Sequence, residues 1–204
     1  MSTKGEQTRE KILSEARLLF KQKGFGATSI NDLLNASGTT KGNLYFHFSD
    51  KEAVALEVLR REQQSFYRFL EQAFSGRSAA AGLEYFFHYA LKKHHQSGFV
   101  GGCLFGNTAL EASDTSPLFA GFVREVFAEW IKIFAEKMTV AQAAGQIRTD
   151  IPADHLAEMV VATIEGGIMQ SRLQKSATPL QRSLETLRQV LELQVNGEQR
   201  QDDA

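Results

Sequence analysis

The chain has 204 residues, 43% of them hydrophobic and 23% charged. These are the proportions of an ordinary globular protein able to bury a sizeable core, which excludes disorder as the main state. Its 23 lysines and arginines against 24 carboxylates remove overall basicity as an argument for a nucleic-acid partner. The charge is unevenly spread, however: residues 1–51 carry eight basic against five acidic side chains, and the remainder reverses the excess. Cys103 is the single cysteine, so no intrachain disulfide can form. No basic start is followed by an apolar stretch, and no run of about 18 apolar residues occurs. A cytoplasmic protein that does not span a membrane is expected.

Apolar spacings of three and four recur along the chain, and period-2 runs flanked by hairpin turns are missing, so the sequence predicts an all-α fold of about nine helices. All three prolines, Pro117, Pro152 and Pro179, stand where a helical pattern begins. A first helix is expected over 8–23, with Ile12, Ala16 and Leu19 on one stripe and Gly24 as its stop. A short second helix follows over 29–35, capped by Ser29, then a turn at Ala36-Ser37-Gly38 and a third helix over 40–48. Ser49-Asp50-Lys51-Glu52 has the form of a capping box and opens a long fourth helix reaching 74, with Leu56, Leu59, Phe66 and Leu70 as its seam.

Residues 75–81 read as a loop. Leu83, Phe86, Phe87, Ala90, Leu91 and His94 mark a fifth helix that breaks at 98–102. A brief helix is expected over 104–112, then longer ones over 117–144, 152–173 and 179–195, the last opened by a Thr178-x-x-Gln181 capping box. The polar ends, 1–7 and 196–204, are expected to fray.

Two short helices joined by a glycine-containing turn, with a longer helix on either side, have helix-turn-helix proportions. With Leu44 pointing into the core, steps of 100° put Gly42, Asn43, Tyr45 and Phe46 on the outward face. That face suits a DNA groove better than water. An asparagine can bond base edges, a glycine permits close approach, and rings can meet thymine methyls or sugars. Thr39, Thr40 and Lys41 at the third helix's start, and Thr28 and Ser29 at the second's, offer hydroxyls and N–H groups suited to phosphate, with Lys51 adding charge nearby.

The stretch Gly24-Phe25-x-Ala27-Thr28-Ser29-Ile30, continuing through Ala36-Ser37-Gly38-Thr39-Thr40-Lys41-Gly42-Asn43-Leu44-Tyr45-Phe46-His47-Phe48 to Ser49-Asp50-Lys51-Glu52, resembles the TetR family of one-component bacterial repressors. The resemblance covers roughly residues 8–60. It implies that Tyr45, Thr28, Thr40 and Lys51 contact the sugar-phosphate backbone, that Gly42, Asn43 and Phe46 lie along base edges, and that His47 is mainly structural. It also implies a helix-turn-helix DNA-binding domain over 1–50, a helical effector-binding and dimerisation domain over 51–204, and a homodimer reading a palindromic double-stranded operator.

Several features of the later helices agree with a dimer built by the last two. Ala157, Ala162, Gly166 and Gly167 are small, and Leu180, Leu184, Leu187 and Leu191 repeat at spacings of four, three and four. An effector pocket could be enclosed by aromatic side chains among the fifteen phenylalanines and one tryptophan. Candidate pocket residues are Phe86, Phe127 and Trp130 with His94, Cys103, Asn107, Thr163 and Glu165; plain core packing is the alternative for each. Gly101-Gly102-Cys103-Leu104-Phe105-Gly106-Asn107 resembles a segment found in a subset of these regulators. Cys103 is thereby either a reactive thiol or a small buried gap-filler.

A ligand-responsive DNA-binding regulator, a repressor released by a small molecule, is the function expected. A helical enzyme has little to support it: His94 and His95 are adjacent and point apart, and no zinc, Walker or dinucleotide motif occurs, so neither metal nor cofactor is expected. A helical interaction module acting without DNA is the third reading.

Overall fold

A computed structural model describes residues 3–195, which form nine α-helices and no strand. In chain order they are α1 (Lys4–Lys23), α2 (Ile30–Ser37), α3 (Lys41–His47), α4 (Lys51–Phe74), α5 (Ala79–Gln96), α6 (Leu104–Ala112), α7 (Pro117–Ala143), α8 (Ala153–Gln174) and α9 (Thr178–Leu191). None of the described helices is long and apolar enough to cross a membrane. The chain divides into two compact units. One runs up to Ser65 and includes Cys103–Val123; the other comprises Phe66–Gly102 and the chain from Arg124 onward. Compactness thus groups α6 and the first half of α4 with the helix-turn-helix, whereas the sequence suggested a boundary after residue 50.

In the first unit, α1 begins a turn earlier than the apolar stripe suggests. The Thr3 hydroxyl accepts from the Glu6 N–H at 3.2 Å, and the Glu6 carboxylate accepts from the Thr3 N–H at 2.6 Å. This reciprocal cap satisfies two donors that a helix start would leave open. Ile12, Leu13, Ala16 and Phe20 are buried along one stripe of α1. The turn after α2 passes through Gly38 at φ +61°, the left-handed region that a side chain resists. Leu33 of α2 and Leu44 of α3 are fully buried.

α4 is capped by Asp50 in place of the expected Ser49–Glu52 box. The Asp50 Oδ1 accepts from the Ala53 N–H at 2.7 Å, and the Ser49 hydroxyl donates to Asp50 Oδ2 at 2.9 Å. The Ala53 N–H, followed by the Ser49 hydroxyl, holds the Asp50 carboxyl below its ordinary range. Three ion pairs brace α1 against the start of α4: Arg9 with Glu57 at 2.9 Å, Arg17 with Glu62 and Arg61 with Glu10, both at 2.5 Å.

In the second unit, α5 starts at Ala79, capped by the Ser78 hydroxyl, which accepts from the Ala81 N–H at 3.2 Å. The predicted loop therefore ends three residues early, because the alanines that look like linker are buried. The Thr178–Gln181 box does not form. The Thr178 N–H donates to the Ser176 hydroxyl, and the Gln181 amide turns outward to Glu185.

α8 and α9 pack as an intimate pair. Leu180, Leu184, Leu187 and Leu191 are at most 2% exposed. The Ser171 hydroxyl accepts from the Leu180 N–H at 2.9 Å, and a Cβ on Gly167 would lie 2.9 Å from Ser183 Oγ. The leucine repeat and Gly167 are therefore engaged within their own chain. What α8 leaves outside is another strip: Ala162, Gly166, Met169 and Leu173, the last two 54% and 81% exposed.

Candidate nucleic-acid interface

α3 is capped by Thr40, whose hydroxyl accepts from the Asn43 N–H at 3.2 Å, and it holds to the first unit through one fully buried side chain, Leu44. Everything else on the helix except the half-buried His47 is exposed. Successive steps of 100° sort the outward residues into two strips. Gly42, Asn43 and Phe46 share one; Lys41 and Tyr45 share the other, with Lys41 Nζ 6.0 Å from the Tyr45 ring.

Phe46 is 82% exposed, and the His47 ring stands edge-on to it at 5.0 Å. His47 also lies beside Phe48 and close to Gly5 of α1, where a Cβ would come 3.8 Å from His47 Cε1. A Cβ built on Gly42 would meet nothing within 4 Å, and Gly42 is not among the residues with positive φ. Neither crowding nor strain inside the chain requires glycine there, although glycine is a weaker helix former than alanine by up to about 1 kcal/mol, the full amount applying only to a helix interior.

The groups expected to bind phosphate fall into two sets. Thr40 and Lys41 are exposed beside the α3 start; Thr39 is half-buried, and its shielded hydroxyl oxygen finds no partner among the described residues. The second set is engaged elsewhere. Thr28 is fully buried and its hydroxyl donates to the Gly24 carbonyl at 2.7 Å. Both the N–H and the hydroxyl of Ser29 donate to Asp32 Oδ2, at 2.8 and 2.7 Å. These bonds from Ser29, together with Lys23, hold the Asp32 carboxyl far below its ordinary range. An ionised carboxylate already fills the α2 start and would repel a phosphate there.

Lys51 is likewise turned inward. Its ammonium donates to the Phe25 and Thr28 carbonyls, both at 2.8 Å, and lies 4.1 Å from the Phe25 ring centroid. The side chains of Thr28, Ser29 and Lys51, expected at phosphate, make contacts here that shape the loop ahead of α2.

The same loop is gripped by a residue that no sequence motif singles out. Glu111, near the end of α6, accepts from the Phe25 N–H at 2.9 Å and the Gly26 N–H at 2.5 Å. The loop's carbonyls point to a cation and its N–H groups to an anion, so its conformation is fixed by opposite charges from α4 and α6. No local pattern could have revealed this pairing, since Glu111 lies 85 residues away from Gly26.

Of the expected effector residues, Phe86, His94 and Trp130 are buried in the second unit, where Phe127, Thr163 and Glu165 are half-buried. The rings form a continuous cluster: Phe66 lies 4.3 Å from Trp130 and 6.1 Å from Phe86, and Phe127 lies 5.1 Å from Trp130. Cys103 and Asn107 belong to the first unit. Cys103 is half-buried at the N-cap of α6, and Asn107 lines a small cavity with Phe20, Phe25, Leu59 and Phe119. Among the described residues no group of three histidine, cysteine or carboxylate side chains could hold a metal ion.

A glycine turn, a short helix that buries one leucine and holds out an amide and two rings, and longer helices bracing both define a helix-turn-helix DNA-binding regulator. The family comparison agrees at both ends of the chain. Residues 12–58 match the model of bacterial regulatory proteins of the tetR family, and residues 79–187 match that of the tetracyclin repressor-like C-terminal domain. The chain belongs to the TetR family.

It is 26% identical to the HTH-type transcriptional repressor DhaR of Mycobacterium sp. (strain GP1), over 90% of this chain and 91% of that one. It is 30% identical to the transcriptional regulator AcuR of Cereibacter sphaeroides, over 78% and 74%. A TetR transcriptional regulator from Chloroflexus aurantiacus J-10-FL superposes with a TM-score of 0.84 at 32% identity, covering 94% of this chain and 98% of that one.

Proposed function

We propose that this regulator is a repressor that binds a palindromic operator as a homodimer in the cytoplasm and leaves it when a small molecule binds among the later helices. The observation that carries the DNA-reading part is the α3 face: Asn43 and Tyr45 exposed beside a Phe46 that is 82% open to solvent. Two such faces related by a two-fold axis would meet successive major grooves about 34–36 Å apart. Thr40 and Lys41 would anchor the duplex backbone, while Gly42, Asn43 and Phe46 follow the base edges. Repression itself is supported by DhaR, which is named a repressor.

The dimer contact assigned here is the outer strip of α8, where Ala162 and Gly166 allow close approach and Met169 and Leu173 supply apolar surface. The effector would be apolar in part, taken up against Phe86, Phe127 and Trp130 with His94, Thr163 and Glu165 as polar partners. α4 and α7 each supply residues to both units, and α4, which follows directly on α3, is the one proposed to carry occupancy to the reading helices. A preference of about 1.4 kcal/mol for the DNA-free arrangement shifts operator affinity tenfold.

Mobility shift on duplexes enriched from a random pool tests the reading. Tyr45→Ala combined with Lys41→Ala should abolish the shifted band without lowering thermal stability. Retained affinity in the double variant would reject α3 as the reading helix.

A further inference from the structure

Phe46 is not needed where it stands for the sake of the fold. It is the most exposed of the large apolar residues on α3, its ring touches the His47 edge at 5.0 Å, and the helix is held through Leu44. Its strip is otherwise Gly42, one turn earlier, and Asn43. Because Gly42 carries no side chain and faces open space, the helix axis can approach a groove floor there, bringing a ring at the following turn down to the base edges.

A phenyl ring has neither donor nor acceptor. Of the groups displayed in the major groove, guanine shows two acceptors, cytosine a donor, adenine one of each, and thymine an acceptor with the C5-methyl, the only apolar group in the set. A phenyl ring laid on a purine N7, O6 or N6 or on the cytosine N4 strips water from a polar atom and gives nothing in return, whereas at the pyrimidine 5-position it is rewarded only where a methyl group is present.

Resting on the DNA-reading role of α3, we infer that Phe46 selects thymine at one position of each half-site by burying its C5-methyl group. Burial of one methyl-sized group corresponds to about fourfold in affinity, or roughly sixteenfold when both half-sites of a symmetric duplex lose it.

The full chain and its Phe46→Ala variant are each used to enrich duplexes from a random pool. Dissociation constants of both are then measured on the wild-type-enriched duplex carrying dT, dU, dC or 5-methyl-dC at each thymine position in turn, symmetrically in both half-sites. At one position the wild type should bind dT roughly sixteenfold more tightly than dU, and 5-methyl-dC more tightly than dC. Phe46→Ala should bind dT and dU equally there, with an unchanged melting temperature. Indifference of the wild type to the methyl at every position, or survival of the dT preference in Phe46→Ala, overturns the inference while leaving DNA binding intact. Failure to enrich any duplex overturns the DNA-reading role and this inference with it.

Discussion

α3 and α9 treat their large apolar side chains in opposite ways. α9 buries all four of its leucines against its own chain and shows water its polar residues, Gln181, Arg182, Glu185, Thr186 and Gln189. α3 buries Leu44 and leaves Tyr45 and Phe46 outside. A helix whose apolar pattern closes within the chain stabilises it; a helix that leaves rings unburied is held in readiness for something else. The leucine repeat of α9 would serve equally well as a subunit interface in a linear sequence, and the buried Gly167–Ser183 approach shows where it is actually satisfied.

The contrast breaks most visibly where each helix is anchored. Leu184→Ala in α9 and Leu44→Ala in α3 each remove a side chain at most 1% exposed. Each should cost about 2–5 kcal/mol in urea unfolding, whereas Phe46→Ala should leave the urea midpoint unchanged. A midpoint shift for Phe46→Ala comparable to that of Leu44→Ala would mean that the exposed ring supports the fold after all.

Acid should separate the two units next. Asp32 and Asp50 are held low by hydrogen bonds, and Glu10 chiefly by its bond to Arg61. Burial pushes Glu57 up, but Arg9 and Arg61 outweigh it and leave this carboxyl low as well. All four lie in the first unit, and Asp150, lowered by Arg148, lies in the second. A depressed carboxylate contributes stability above its unfolded value of about 4 and loses it as pH falls through the folded value. Amide protection in α1–α4 should therefore weaken before that of α8 and α9 as pH is lowered from 5 toward 3. The reverse order would contradict the assignment of these contacts.

A smaller effect concerns the loop between α1 and α2. Glu111→Gln replaces charged acceptance by a neutral amide and should cost about 1 kcal/mol, with amide exchange at Phe25 and Gly26 several-fold faster. Unaltered exchange at both would mean that Glu111 does not hold the loop.

These contacts mark how far the sequence could be read. Periodicity and helix stops placed every helix, and α6 falls at the expected residues 104–112. The failures lie at caps, where several side chains compete for the same N–H groups: Asp50 displaced Ser49 at α4, Thr3 and Glu6 extended α1, and the Thr178–Gln181 pattern gave way to Ser176. The exposed face of α3 was legible because one core residue fixes the phase of a helix. The inward turns of Thr28 and Lys51 were not, since both depend on backbone atoms of a loop whose shape is set in part by Glu111, far along the chain.

Gly42 offers the most direct test of whether α3 is shaped for an external surface. If the protein alone determined this residue, alanine would be the better choice, because its Cβ enters open space. Gly42→Ala should stabilise the isolated protein by up to about 1 kcal/mol. The same methyl would intrude where the duplex approaches, and operator affinity at fixed salt should fall about tenfold. A variant that is both more stable and at least as tight on its operator would contradict the account.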